Sequence, residues 1–167
     1  NNAGLYWQQA GILANTSLTL GNGAYLYVSG TNSALTLAST TSVSGSANVY
    51  TDGSSGTSIT NQGTITQTNA SSYGQIYAPT FTNSGSISAT AGTLYLGYPG
   101  SGYNSTNASG GIITASGTNT TVYLRGNFTN SGSLVAQNSG QLIFDGTNTT
   151  GNLGSVTVFQ IARPTGD

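Results

Sequence analysis

The chain contains no cysteine, histidine, lysine, glutamate or methionine, and charge is almost absent from it. Its five ionisable side chains of fixed charge are Arg125, Arg163, Asp52, Asp145 and Asp167, where an ordinary globular domain carries roughly a quarter charged residues. Each absence excludes something. Without cysteine there are no disulfides, no thiol nucleophile and no Cys-type zinc site. Without histidine, lysine and glutamate the usual general bases and amine nucleophiles are missing. Two arginines cannot make the basic surface that nucleic acid requires. No apolar run approaches the ~18 residues of a membrane-spanning helix. Helices draw on Glu, Lys and Met, so their absence also argues against helical structure.

What fills the space is Asn, Ser, Thr and Gly, interrupted by short bursts of Val, Ile, Leu and Tyr. With 35% hydrophobic residues and a net charge of -1, the composition does not match the high charge and low hydropathy of disordered chains. The β-branched residues and tyrosines favour pleated strands.

An aliphatic-Tyr pair recurs along the sequence: "GLYW" at 4–7, "YLYVSG" at 25–30, "NVYTDG" at 48–53, "QIYAP" at 75–79, "TLYLG" at 93–97 and "TVYLRG" at 121–126. Centred on Tyr6, Tyr27, Tyr50, Tyr77, Tyr95, Tyr123 and Ile143, the steps are 21, 23, 27, 18, 28 and 20 residues, with a mean of about 23. The preceding residue is aliphatic each time, from Leu5 to Leu142. A second marker keeps the same period. "ITNQGTI" (59–65), "FTNSGSI" (81–87), the looser "STNASGGI" (105–112) and "FTNSGSL" (128–134) place Thr-Asn at 60, 82, 106 and 129. In the earlier part of the chain only the strand pattern persists, as in "NTSLTL" (15–20) and "TNSALTL" (31–37).

Two markers with one period define a repeat. Each unit reads as a strand, an Asn-Gly-type turn, a short strand, a glycine turn and the aliphatic-Tyr strand. A sandwich of hairpins does not require one residue to return every third strand. Stacked coils do, because each position sits on its equivalent about 4.8 Å away. The expected fold is all-β: a parallel β-solenoid of about seven coils of roughly 23 residues, forming one domain over 1–167 and a stack roughly 34 Å long. Loops that leave the stack account for the uneven steps, the longest candidate being 97–111. Period-two alternation puts Leu26, Val49, Ile76, Leu94, Val122 and Leu142 inside as one ladder, and Leu96, Leu124 and Phe144 in the next inward row. The tyrosines then form one outward column.

The units "FTNSGSI…AGTLYLG" and "FTNSGSLVAQNSGQLIFDG" resemble the degenerate coils of bacterial surface β-helix proteins, the filamentous-haemagglutinin-like adhesins and autotransporter passenger domains. The resemblance covers roughly residues 12–150. It implies a right-handed parallel β-helix, an extracellular or cell-surface location and adhesive or structural work. It supplies no catalytic residue.

The remaining chemistry is sparse. No catalytic, cofactor or metal residues are assigned, and the chain is not expected to be an enzyme. Asp52 and Asp145 lie four coils apart, roughly 19 Å, beyond the ~5–9.5 Å of a glycosidase pair. Arg125 and Asp145 occupy equivalent positions one coil apart and are expected to form a structural ion pair. No acidic repeat of the calcium-binding type occurs. Repeated Thr at 117–121 and 146–150 hints at an ice-binding face, but coil lengths vary too much for a flat array. Seven Asn-x-Ser/Thr sequons occur, at Asn15, Asn69, Asn104, Asn107, Asn119, Asn127 and Asn148, in a chain where chance supplies many.

The candidate binding residues are the column Tyr27, Tyr50, Tyr77, Tyr95 and Tyr123, with Tyr98 and Tyr103 on the long loop. They would serve either as a self-stabilising ladder or as a platform for surface glycans. Trp7 and Phe159, near the two ends, are candidates for end-to-end contact. The sequence thus points to a structural extracellular solenoid segment of a surface adhesin or fibre, part of a longer chain or a filament subunit, whose main partner is further coils of itself. A carbohydrate-binding module using exposed tyrosines is the alternative, and neither nucleic acid nor membrane insertion is expected.

Overall fold

The computed structural model describes residues 3–100 and 102–146, together with the backbone of Val156–Val158. The chain winds through three parallel β-sheets, one strand per sheet per turn. The first turn is β1 (Gly4–Trp7), β2 (Gly11–Leu13) and β3 (Ser17–Leu20), and the second β4 (Tyr25–Val28), β5 (Ala34–Leu37) and β6 (Ser42–Gly45). The third is β7 (Asn48–Thr51), β8 (Ser58–Asn61) and β9 (Thr64–Gln67), and the fourth β10 (Tyr73–Tyr77), β11 (Thr80–Asn83) and β12 (Ser86–Ala89). The fifth is β13 (Thr93–Leu96), β14 (Asn104–Asn107) and β15 (Ile112–Ser116), and the sixth β16 (Thr121–Arg125), β17 (Asn127–Asn130) and β18 (Ser133–Gln137). A seventh turn begins with β19 (Gln141–Asp145), and β20 (Val156–Val158) adds a last strand beside β18.

The order β1-β4-β7-β10-β13-β16-β19 in the first sheet, with matching orders in the other two, defines a parallel β-solenoid. There are six complete turns and a seventh begun, close to the seven coils expected, and no helix occurs among the described residues. Six steps of about 4.8 Å separate the first and last strands of the first sheet, or roughly 29 Å.

Alternation makes the interior. Every strand from β4 to β18 buries alternate residues, and Leu26, Leu35, Leu37, Ile59, Ile65, Ile76, Ile87, Leu94, Leu96, Ile113 and Leu124 are inaccessible to solvent. The expected single ladder of first-sheet aliphatics is corrected in one place. Ile76 of β10 registers with Val49 on one side but with Leu96, not Leu94, on the other. Leu94 stands on Gly74 instead. The chain slips by two residues between these strands, so all side chains keep their face while the rows change partners. The 18-residue step from Tyr77 to Tyr95 was the trace of this slip. Phe144, expected inside, is only partly buried against the core. Leu5 is 43% exposed because β1 is the first rung and no strand lies beyond it among the described residues.

The stretch 97–111 is not one loop. It contains β14, a rung of the second sheet, so only about 97–103 leaves the stack. Ser105 fills the inward position that Phe81 and Phe128 occupy in the rungs on either side. A small polar residue between two phenylalanines packs well but gives no apolar signal.

The Thr-Asn marker turns out to be internal. Asn61, Asn83, Asn107 and Asn130 end their strands with the side chain buried. Asn61 Nδ2 donates to Asn83 Oδ1 at 2.8 Å, Asn83 Nδ2 to Asn107 Oδ1 at 2.8 Å, and Asn107 Nδ2 to Asn130 Oδ1 at 2.7 Å. Each amide also reaches a glycine carbonyl at the corner, of Gly63, Gly85, Gly111 and Gly132. Those glycines are required by close approach: a Cβ on Gly85 would run into the carbonyl of Gly63, and one on Gly132 into that of Gly111.

Candidate functional site: a tyrosine face

Residues that alternate with the buried row of the first sheet point outward, and there the chain concentrates its aromatics. All ten tyrosines take part in ring contacts on or beside this one face. None is left for the other two sheets.

The expected single column is two columns. Tyr6, Tyr27, Tyr50 and Tyr77 are in register, with ring centroids 5.7, 5.3 and 5.1 Å apart, the last pair stacked at 14°. The two-residue slip then moves Tyr95 and Tyr123 to the neighbouring outward row, where their centroids are 5.1 Å apart. That row reads Tyr25, Asn48, Gln75, Tyr95, Tyr123 and Ile143. The sequence reading had the face right and the column wrong.

Tyr98 and Tyr103, expected to project from a loop, fold back and continue the first column. Their rings lie 5.5 and 6.1 Å from that of Tyr77 and 4.9 Å from each other. Tyr25 and Tyr73 were missed as members of the candidate face, and Tyr6, which heads the repeat series, was left out of the candidate binding residues. Tyr6 and Tyr25 share a hydroxyl hydrogen bond of 2.7 Å, and Tyr73 packs edge-on to Tyr95 at 5.8 Å. The signal was available: Tyr25 precedes Tyr27 by two, and Tyr73 precedes Gln75 by two, so alternation puts them on the same side.

Arg125 and Asp145 are cross-strand neighbours and form the expected ion pair, with Nε 3.1 Å from Oδ2. The guanidinium also lies 3.8 Å from the centre of the Tyr95 ring. Asp52 ties two turns together. It accepts hydrogen bonds from the backbone N–H of Gly30 at 3.0 Å and of Ser54 at 2.9 Å, which hold its carboxyl below the usual range. Trp7 points inward on the first rung and packs partly buried against the core, its Nε1 buried without a partner. Phe159 lies outside the described residues. Of the sequons, Asn107 is buried in the amide ladder and is closed to modification, and Asn148 lies outside the described residues.

Four phenols of the face are raised above the ordinary phenol range. Burial pushes Tyr77 up to about 12 and raises Tyr50 and Tyr27 as well, while the hydrogen bond shared with Tyr6 raises Tyr25. At neutral pH the face is therefore uncharged apart from the Arg125–Asp145 pair at one end and Asp52 at its margin.

Shallow grooves run between the tyrosines. One, of about 240 Å³, lies where Asn48 and Gln75 interrupt the aromatic row, with Tyr25, Tyr50 and Tyr73 around it. No group of three or more metal-ligating side chains occurs among the described residues.

Fold and site together define a parallel β-solenoid with one aromatic face. Comparison with protein-family models, curated proteins and solved structures found no match to this chain.

Proposed function

We propose that the protein is a structural β-solenoid segment of an extracellular adhesin or fibre, extended by stacking of further rungs. The observation that carries this reading is the first rung. Its strands β1, β2 and β3 have one edge without a partner among the described residues, and Leu5, in register with the buried Leu26, stands 43% exposed there. Unpaired backbone N–H and C=O groups beside apolar side chains form a template for another parallel rung. Natural sheet edges are blunted by lysine, proline or inward charge, and this rung has none of these. The resemblance of the repeat units to surface β-helix proteins supports the same reading, as does the near-absence of chemistry-bearing side chains.

The test is assembly as a function of concentration, by light scattering and electron microscopy, for the native chain and for Leu5→Lys. Filaments or end-to-end dimers that the lysine abolishes are the expected result. A monomer at high concentration in both, with the β1–β3 amides exchanging freely, overturns the stacking reading.

A further inference from the structure

We infer that the groove at the break in the tyrosine row binds a neutral oligosaccharide. This is a different surface from the stacking edge, and the two readings stand or fall separately.

The site lies on the rungs just before the two-residue slip. In the row Tyr25, Asn48, Gln75, Tyr95 two consecutive rungs present amides where tyrosines stand before and after. The gap is walled by Tyr50 in the adjoining row and by Tyr73, which is 54% exposed. Asn48 Nδ2 donates to the carbonyl of Ala24 at 3.0 Å, which orients the amide and leaves its oxygen free to accept. Gln75 makes no side-chain hydrogen bond to any described residue, so its donor and acceptor are both available.

Aromatic walls and an amide floor match the two surfaces of a pyranose ring. Its C–H face packs on a phenol ring, and its hydroxyls exchange donors and acceptors with primary amides. A few placed polar groups among aromatic walls is the general composition of a small-ligand site. No charged residue lines the groove. An anionic or cationic ligand therefore meets no opposite charge there. A peptide adding as a strand is not favoured, because the backbone of these rungs is already paired on both sides within the sheet. The amide gap covers two rungs and its flanking tyrosines two more, three steps of about 4.8 Å. That length suits a short run of sugar rings.

The experiment is calorimetric titration of the full chain with cellohexaose, mannohexaose and xylohexaose, and with a heparin hexasaccharide as the sulfated control. In parallel, NMR follows the side-chain amide signals of Asn48 and Gln75. Saturable binding to at least one neutral hexasaccharide, with shifts at those two amides, is expected. Tyr73→Ala should weaken it about tenfold, as loss of one aromatic contact does. Gln75→Ala should weaken it too, and Ile112→Ala, on an exposed position of another sheet, should leave it unchanged. Tyr73 and Gln75 are surface residues, so both variants should fold, which circular dichroism checks. Three outcomes overturn the inference: no binding of any neutral hexasaccharide at millimolar concentration, binding only of the sulfated one, or binding that neither groove variant alters.

Discussion

Asn83 donates its side-chain amide to Asn107 Oδ1 at 2.8 Å, and both residues are fully buried. This bond is the middle link of an amide ladder running up one corner of the solenoid. Because each amide gives to the next turn and receives from the previous one, removing one leaves two neighbours short. Asn83→Ala should therefore cost about 2–4 kcal/mol, combining an unsatisfied acceptor on Asn107 with a cavity. Urea unfolding measures this. A cost below about 1 kcal/mol, the value of an ordinary exposed hydrogen bond, would show that the ladder is not a stabilising element.

The ladder has an unfinished end. Asn61 Oδ1 is buried without a partner, because the rung beside it carries Leu37 where another asparagine would stand. Leu37→Asn would supply the missing donor while removing a buried aliphatic side chain. Leu35→Asn, two residues away on the same strand, removes one without repairing anything, since its neighbour is Ile59. The first variant should be at least about 1 kcal/mol more stable than the second. Equal losses would mean that the orphan oxygen carries no penalty worth repairing.

Much of this architecture was legible from spacing alone, and the reasons for the misses are specific. The period, the three strands per turn and the inward row Leu26, Val49, Ile76 follow from alternation and from repeated residues. The slip at Ile76 left only the short step from Tyr77 to Tyr95 as a trace, because a shift by two preserves every side chain's face and no apolar residue lands in solvent. Strand β14 was hidden by Ser105, whose smallness is dictated by Phe81 and Phe128 in adjacent rungs, a relation between turns that one strand's sequence does not carry. Asn61, Asn83 and Asn107 looked like turn residues because asparagine suits turns. Their burial depends on having the same residue one turn away. The tyrosine face was recognised, yet its groove was not, because the groove is formed where Asn48 and Gln75 stand one above the other in the outward row, a relation between turns that neither strand shows alone.

The slip itself can be tested by coupling. Leu94 stands on Gly74, and a Cβ on Gly74 would lie 3.0 Å from Leu94 Cδ1. Gly74→Ala should destabilise, and part of the loss should disappear when Leu94→Ala makes room. A double-mutant cycle should return a coupling of at least about 0.5 kcal/mol. Independent effects of the two substitutions would restore the unslipped alignment of Ile76 with Leu94.

Arg125 and Asp145 separate charge pairing from packing. Their ion pair is partly exposed on the arginine side and 53% exposed on the aspartate side, so Asp145→Asn should change stability by about 0–1 kcal/mol. Arg125 additionally covers Tyr95 at 3.8 Å and approaches Tyr123 at 5.5 Å. Arg125→Ala should therefore cost more than Asp145→Asn, by roughly 0.5–1 kcal/mol for the cation–aromatic contact, and the difference should persist in high salt. If salt removes the whole difference, the arginine acts only through its charge.

The tyrosine face sets an alkaline limit on the fold. Burial raises Tyr77 from 10.0 to about 12, and Tyr27 and Tyr50 shift in the same direction. A phenol whose folded pKa lies above its unfolded value keeps its proton in the folded chain after the unfolded chain has lost it. Between those values the folded state binds more protons, so stability falls as pH rises. Below pH 10 the contribution is fully present, and it drains away on approach to about 12. No histidine, lysine, glutamate or cysteine titrates in between. The carboxyl of Asp52, held low by the Gly30 and Ser54 amides, withdraws its contribution only as pH falls below its ordinary 3.8. Thermal melts should therefore give a Tm nearly independent of pH from about 5 to 9 and falling steeply above 10. Tyr77→Phe, which removes the ionisable hydroxyl and keeps the stacked ring, should soften that alkaline fall without changing the plateau. An alkaline limb that is the same in the variant would place the limit on other phenols of the face.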